Sequence, residues 1–210
     1  MTISQKISGK IINYDNSFFG EILFDDIITG INLSEKVNKE CYIIPGFVDL
    51  HCHGGGGFDT MDGVEAIQQM SSYHLSKGTT SLLATTWTSS FDHTFASLSD
   101  FNSLINTNSN LIGVHLEGPF INPKKLGAQP PLTIEPSIEF IEKINEIASI
   151  KTITLAPELR GMDHFIPFLI DKGINVQFGH SLADSKSCEK YMNLKNTSFT
   201  HLYNAMSGNN

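Results

Sequence analysis

Asp49-Leu50-His51-Cys52-His53-Gly54-Gly55-Gly56-Gly57 closes the first of a series of apolar runs, and its reading decides the architecture. On an extended strand residues two apart share a face, so His51 and His53 point the same way and Cys52 points the other. Two imidazoles converging in this manner suit one metal ion. The glycines that follow let backbone pass close to whatever the histidines hold. By the same period Asp49 shares their face, where it reaches the metal region or orients a ligand histidine; the orienting role is favoured. Taken alone, a His-x-His pair is explained at least as well by solvated loop histidines.

Three further stretches resemble the first in placement. Gly113-Val114-His115-Leu116-Glu117-Gly118-Pro119-Phe120 ends another apolar run on a glutamate, with His115 on the same strand face. Gln177-Phe178-Gly179-His180-Ser181 and Phe199-Thr200-His201-Leu202-Tyr203-Asn204-Ala205-Met206 each carry one histidine where strand meets loop. A single acidic residue in such a place is as readily a capping carboxylate as a ligand. Four histidines and a glutamate at the ends of four different strands strain that reading. In a barrel all those ends open onto one mouth, where catalytic residues are found. Carboxylate and imidazole donors suit zinc, iron or a related divalent ion.

Around these stretches the pattern alternates. Strands are expected at 42–50, 79–86, 111–116, 152–156, 174–178 and 197–200. Helices are expected at 63–76, 92–105, 137–148, 162–171 and 184–194. Ile138, Ile141, Ile144 and Ile147 would share one helix face. Residues 1–44 differ, with short β-like runs and Gly and Asn-Asp turns that predict a small, partial β domain. Alternation alone permits an open doubly wound sheet or a barrel; the clustered polar residues favour the barrel. Residues 45–210 then supply about six strands of a (β/α)8 barrel, which needs eight. An incomplete barrel exposes strand edges, so marginal stability or aggregation is the expectation.

Composition narrows the function classes. The chain has 210 residues, 40% hydrophobic and 17% charged, ordinary for a globular protein. A net charge of −8 argues against nucleic acid or anionic membrane as a partner. No apolar run approaches the roughly 18 residues of a transmembrane helix. MTISQKISGK does not read as a secretory signal. Three scattered cysteines make no disulfide framework and point to a reducing cytoplasm. A structural zinc built from Cys41, Cys52 and neighbouring histidines fits no finger or ribbon spacing.

Pro45-Gly46-Phe47-Val48-Asp49-Leu50-His51-Cys52-His53-Gly54 resembles the opening strand of the amidohydrolase superfamily. His115 to Lys125, then Leu155-Ala156-Pro157-Glu158, Gly179-His180-Ser181 and Thr200 to Met206 are similar, in order and spacing, to N-acetylglucosamine-6-phosphate deacetylases. The resemblance implies a (β/α)8 barrel, a small β domain made from both chain ends, and a homodimer. It implies that Glu117, His180 and His201 bind the main metal and that His51 and His53 match a second metal position, for one or two ions. It also implies that Asn204 and Ala205 lie near a substrate phosphate. Gln129 stands near the sugar, where the family usually has histidine. The family's catalytic acid/base, an aspartate on the eighth strand, has no counterpart in this chain, so no residue is assigned as catalytic.

The activity so implied is metal-assisted hydrolysis of the acetamide of N-acetylglucosamine 6-phosphate, giving glucosamine 6-phosphate and acetate. Another amidohydrolase acting on an amide or cyclic amide is one alternative. A catalytically inactive remnant is the other.

Overall fold

The computed structural model describes residues 5–107 and 110–208. Met1 to Ser4, part of the stretch read for a leader, and the terminal Asn209 and Asn210 lie outside the described residues. Two units divide the chain, Met1–Phe47 and Val48–Asn210.

The first unit is a four-stranded sheet. Strands β1 (Gln5–Ile12), β2 (Ser17–Phe24), β3 (Ile28–Leu33) and β4 (Tyr42–Ile43) lie in the order β3-β2-β1-β4. β1 and β2 form a hairpin whose turn is closed by the Asn13 amide donating to the Asn16 carbonyl at 2.9 Å. β4 pairs parallel with β1. Here the structure departs from the expected strand over 42–50. Pro45 has no N–H to offer a ladder and restricts Ile44 before it, so the run is cut into β4 and β5 (Phe47–Cys52), which belong to different sheets.

The second unit is built from β5, two short strands β6 (Gly54–Gly55) and β7 (Phe58–Asp59), helix α1 (Val64–Leu75), β8 (Thr79–Thr86), α2 (Phe91–Ser97), α3 (Phe101–Ile105), β9 (Leu111–Glu117), α4 (Ile138–Ile147), β10 (Ile150–Leu155), α5 (Met162–Asp171), β11 (Asn175–Phe178), α6 (Ser185–Met192) and β12 (Thr197–Phe199). Its main sheet has the order β12-β11-β10-β9-β8-β5, sequential throughout. From β8 to β12 every neighbouring pair is parallel. Strand residues such as Leu82, Leu116, Ile153 and Val176 meet Ile67 and Met70 of α1, Ile144 of α4 and Leu169 of α5, all with under 1–2% exposure, in one apolar core.

Two helical expectations are corrected. The helix expected over 92–105 is two: α2 ends at Ser97, and Asp100, whose left-handed backbone (φ 64°) no helix continues through, stands immediately before α3. Of the four isoleucines of α4, Ile141 and Ile144 are buried while Ile138 is 42% exposed. Steps of three residues turn the helix by about 300°, so each isoleucine slips about 60° and four of them cannot share one face. Capping follows local chemistry: Ser90, Ser137 and Asp184 each accept a backbone N–H at the start of α2, α4 and α6. Among the described residues no helix is long and apolar enough to cross a membrane.

Candidate metal centre

The parallel strands bring Glu117, at the end of β9, to the middle of four histidines. Its Oε1 lies 3.1 Å from His180 Nε2 and 3.0 Å from His201 Nε2, which are themselves 3.1 Å apart. Its Oε2 lies 2.8 Å from His53 Nε2 and 3.7 Å from His51 Nε2. Two sets of ligand-type atoms therefore share this one carboxylate, Glu117 with His180 and His201 and Glu117 with His51 and His53. A cavity of roughly 240 Å³ opens beside them, walled by Trp87, Gln129, Asn204 and Ala205 among others.

The partners of the ring nitrogens show what this cluster wants. His53 Nδ1 is 3.1 Å from the Thr85 carbonyl, and His180 Nδ1 is 2.8 Å from the Lys125 carbonyl. A carbonyl oxygen only accepts, so both Nδ1 atoms donate, and a neutral ring then carries a bare lone pair at Nε2. Those lone pairs face the oxygens of Glu117, acceptor against acceptor. Positive charge must stand between them, either a second proton on each ring or a shared cation. The donor set of one carboxylate and several Nε2 atoms, each braced through Nδ1, fits a divalent ion of the zinc or iron kind.

Electrostatics agree. Burial alone would push the Glu117 carboxyl up, but hydrogen bonds from His180 and His53 and the charges of His51 and His53 hold it well below the usual carboxylate range. Burial would lower His180, yet the Glu117 and Lys125 contacts outweigh it and the ring is raised. His51 is lowered, chiefly by burial.

The backbone is also set for the site. His180 (φ 50°), His201 (φ 31°) and Ala205 (φ 51°) sit in the left-handed region that side chains rarely occupy. Such residues persist where the surroundings over-determine them, commonly at functional sites. Gly118, after Glu117, has φ 78°, and a side chain there would collide with Thr88 Oγ1. Glu158, at the loop after β10, takes hydrogen bonds from Asn122 Nδ2 (2.9 Å), Ser181 Oγ (2.6 Å) and the Leu182 amide (2.6 Å). It thereby ties down the loop that carries His180.

The remaining sequence candidates fall as follows. Gln129 is only 5% exposed, and its amide is spent within the protein: Nε2 donates to Glu117 Oε2 at 2.7 Å and Oε1 accepts from the Thr88 amide at 2.7 Å. The Asn204 amide donates to the His201 carbonyl, and the Ala205 carbonyl accepts from the Ser181 amide. Asp49 Oδ1 accepts the His51 amide at 3.1 Å. Its carboxylate groups with Cys52 and His74, one donor atom of each lying within 4.8 Å of the others. His115 is fully buried and neutral, its pKa lowered to about 3 first by burial. Its Nδ1 donates to the Leu50 carbonyl and its Nε2 accepts from Thr154 at 2.7 Å, linking β9 to β5 and β10.

Sequence reasoning missed Trp87. Its ring stacks on His53 at 3.7 Å between centroids and 13° between planes, and its Nε1 donates to Asp59 Oδ2 at 3.0 Å. It follows the end of β8, so the strand-end rule that found the histidines would have found it too.

A parallel α/β sheet that gathers carboxylate and imidazole donors at the carboxyl ends of its strands defines the class, an α/β protein with a candidate metal centre at its strand ends. Residues 42–209 match the model of the Amidohydrolase family, and the chain belongs to that family. It is 40% identical over 177 residues to the N-acetylglucosamine-6-phosphate deacetylase of Bacillus subtilis, covering 79% of this chain and 44% of that protein. It is 36% identical over 191 residues to the enzyme of the same name from Lysinibacillus sphaericus, covering 84% and 47%. The crystal structure of N-acetylglucosamine-6-phosphate deacetylase from Thermotoga maritima superposes with a TM-score of 0.86 at 29% identity, over 97% of this chain and 56% of that one. The fold is thus that of a (β/α)8-type barrel, of which the described residues hold six strands. The chain spans about half the length of the curated relatives it matches.

Proposed function

We propose that the protein to which this chain belongs hydrolyses the acetamide of N-acetylglucosamine 6-phosphate to glucosamine 6-phosphate and acetate. The observation that carries the reading is the convergence of four histidine Nε2 atoms on the two oxygens of Glu117 at the strand ends. The substrate class rests on the names of the relatives.

Glu117, His180 and His201 would hold one divalent ion, and His51 and His53, together with Glu117, would hold a second. A metal bound there supplies a Lewis acid for the acetamide carbonyl and lowers the pKa of water. The chain's own residues do the rest. Thr85 and Lys125 fix the tautomers of His53 and His180, and Gln129 pins the Glu117 carboxylate. The Asn204 side-chain amide and the Ala205 backbone N–H offer an anion donors without net charge, which suits the substrate phosphate in a chain of charge −8. The three thiols are free, which supports a cytoplasmic setting, and the resemblance supports a homodimer.

Acetate release tests the reading, measured on N-acetylglucosamine 6-phosphate and on the unphosphorylated sugar. It is run with the zinc-loaded chain and with a chain extended to the length of its relatives, each beside Glu117→Gln. Release from the phosphorylated sugar alone, abolished in Glu117→Gln, is expected of the extended chain. Release from neither sugar would overturn the substrate assignment.

A further inference from the structure

We propose that Asp49, Cys52 and His74 form a separate, sulfur-bearing metal site that takes a thiophilic divalent ion of the zinc class. The inference does not depend on the hydrolase reading.

Cys52 ends β5 between the two histidines that serve the Glu117 centre, and points away from it. His74 comes from the last turn of α1, and brings its Nε2 to 3.2 Å from Cys52 Sγ. The Asp49 carboxylate completes the group, with one donor atom of each residue lying within 4.8 Å of the others. The Gly54 carbonyl oxygen lies 3.2 Å from both Cys52 Sγ and His74 Nε2, a fourth oxygen in the same space. Zinc–sulfur and zinc–nitrogen bonds of about 2.3 and 2.1 Å at a tetrahedral angle separate S and N by about 3.6 Å, so a shift of a few tenths of an ångström admits the ion.

Two neighbours keep the group in place. The Thr85 hydroxyl accepts the Cys52 amide at 2.8 Å and fixes the strand end. At Gly55 any Cβ would collide with His74 Nε2, so only glycine lets the imidazole in. Cys52 is 9% exposed, which limits competition from water. Thiolate, imidazole and carboxylate together select zinc-class ions over magnesium or calcium, which prefer all-oxygen shells. A bound ion would tie the last turn of α1 to β5 and so brace the strand that carries His51 and His53. The rival is a purely hydrogen-bonded trio, with His74 and Cys52 both donating to the Gly54 carbonyl.

Cobalt titration of the metal-stripped chain separates the two. Thiolate ligation gives Co²⁺ a charge-transfer band in the near ultraviolet, and the Glu117 centre, with only nitrogen and oxygen donors, gives none. The expected result is a band that saturates with one thiolate-bound ion per chain. It should vanish in Cys52→Ser, need at least about tenfold more Co²⁺ in His74→Gln, and persist in Cys188→Ser and Glu117→Gln. Absence of the band in the unaltered chain overturns the proposal, as does a band that survives Cys52→Ser. If Cys52→Ser fails to fold by circular dichroism, His74→Gln decides: an unchanged titration overturns the site.

Discussion

His53 faces Glu117 Oε2 at 2.8 Å with the nitrogen that carries no proton in the neutral ring, because the Thr85 carbonyl holds the other nitrogen at 3.1 Å. Glu117 meets His180 in the same way through its other oxygen, with Lys125 in the place of Thr85. One carboxylate thus serves two sets of imidazoles. Glu117→Gln replaces it with a neutral amide that offers one oxygen and an unwanted N–H. Loss of an outer partner of a metal site costs roughly 10- to 100-fold in affinity, so loss of this shared group is expected to exceed about 100-fold at both positions. Zinc content by elemental analysis after dialysis checks it, with Cys52→Ser added so that only the Glu117 centre is counted, and retention of zinc there would show that the histidines suffice.

Trp87 is the chain's one tryptophan, and it stacks on His53. Its fluorescence therefore reports on a single place. Titration with zinc is expected to change the emission of the unaltered chain and to leave that of His53→Ala unchanged. A metal response that persists in His53→Ala would mean that the ion reaches Trp87 by some other route than His53.

Gln129→Ala removes the group that accepts the buried Thr88 amide and donates to Glu117. Leaving a buried amide unpaired costs about 1–3 kcal/mol. Zinc affinity should fall by about tenfold as Glu117 loses its brace. Urea unfolding and a zinc titration measure the two effects separately. Weaker zinc binding with full stability would confine Gln129 to the site.

Thr154→Val tests the buried chain from the Leu50 carbonyl through His115 and Thr154 to Thr200. Thr154 Oγ1 lies 2.7 Å from His115 Nε2 and 2.6 Å from Thr200 Oγ1. The valine leaves His115 Nε2 without its donor in a fully buried place, at a cost of about 1–3 kcal/mol. His115, its pKa lowered to about 3, cannot compensate by taking a proton at neutral pH. The denaturation midpoint is the readout, and an unchanged midpoint would mean that the bond contributes nothing.

Much of this protein is legible in the chain itself, because the relevant rules are local. Apolar runs of strand length alternating with helical periods predict the parallel sheet. The position of Glu117, His180 and His201 at the ends of such runs predicts a shared mouth, since parallel strands of one barrel all end on one side. The break at Pro45 was also readable, as a missing N–H, although the run around it looks like one strand.

What only the tertiary structure decided are relations between atoms far apart in sequence. The carbonyl that sets the tautomer of His53 comes from a residue 32 positions away, and the one for His180 from 55 positions away. No periodicity encodes such a partner. The division of Glu117 between two histidine sets, the stacking of Trp87 on His53, the enclosure of Gln129 and the meeting of Cys52 with His74 depend in the same way on how strands and loops register side by side. Sequence determined which donors stand at the strand ends; packing decided which atom of each faces which, because hydrogen-bond geometry is set by distances that only the folded chain has.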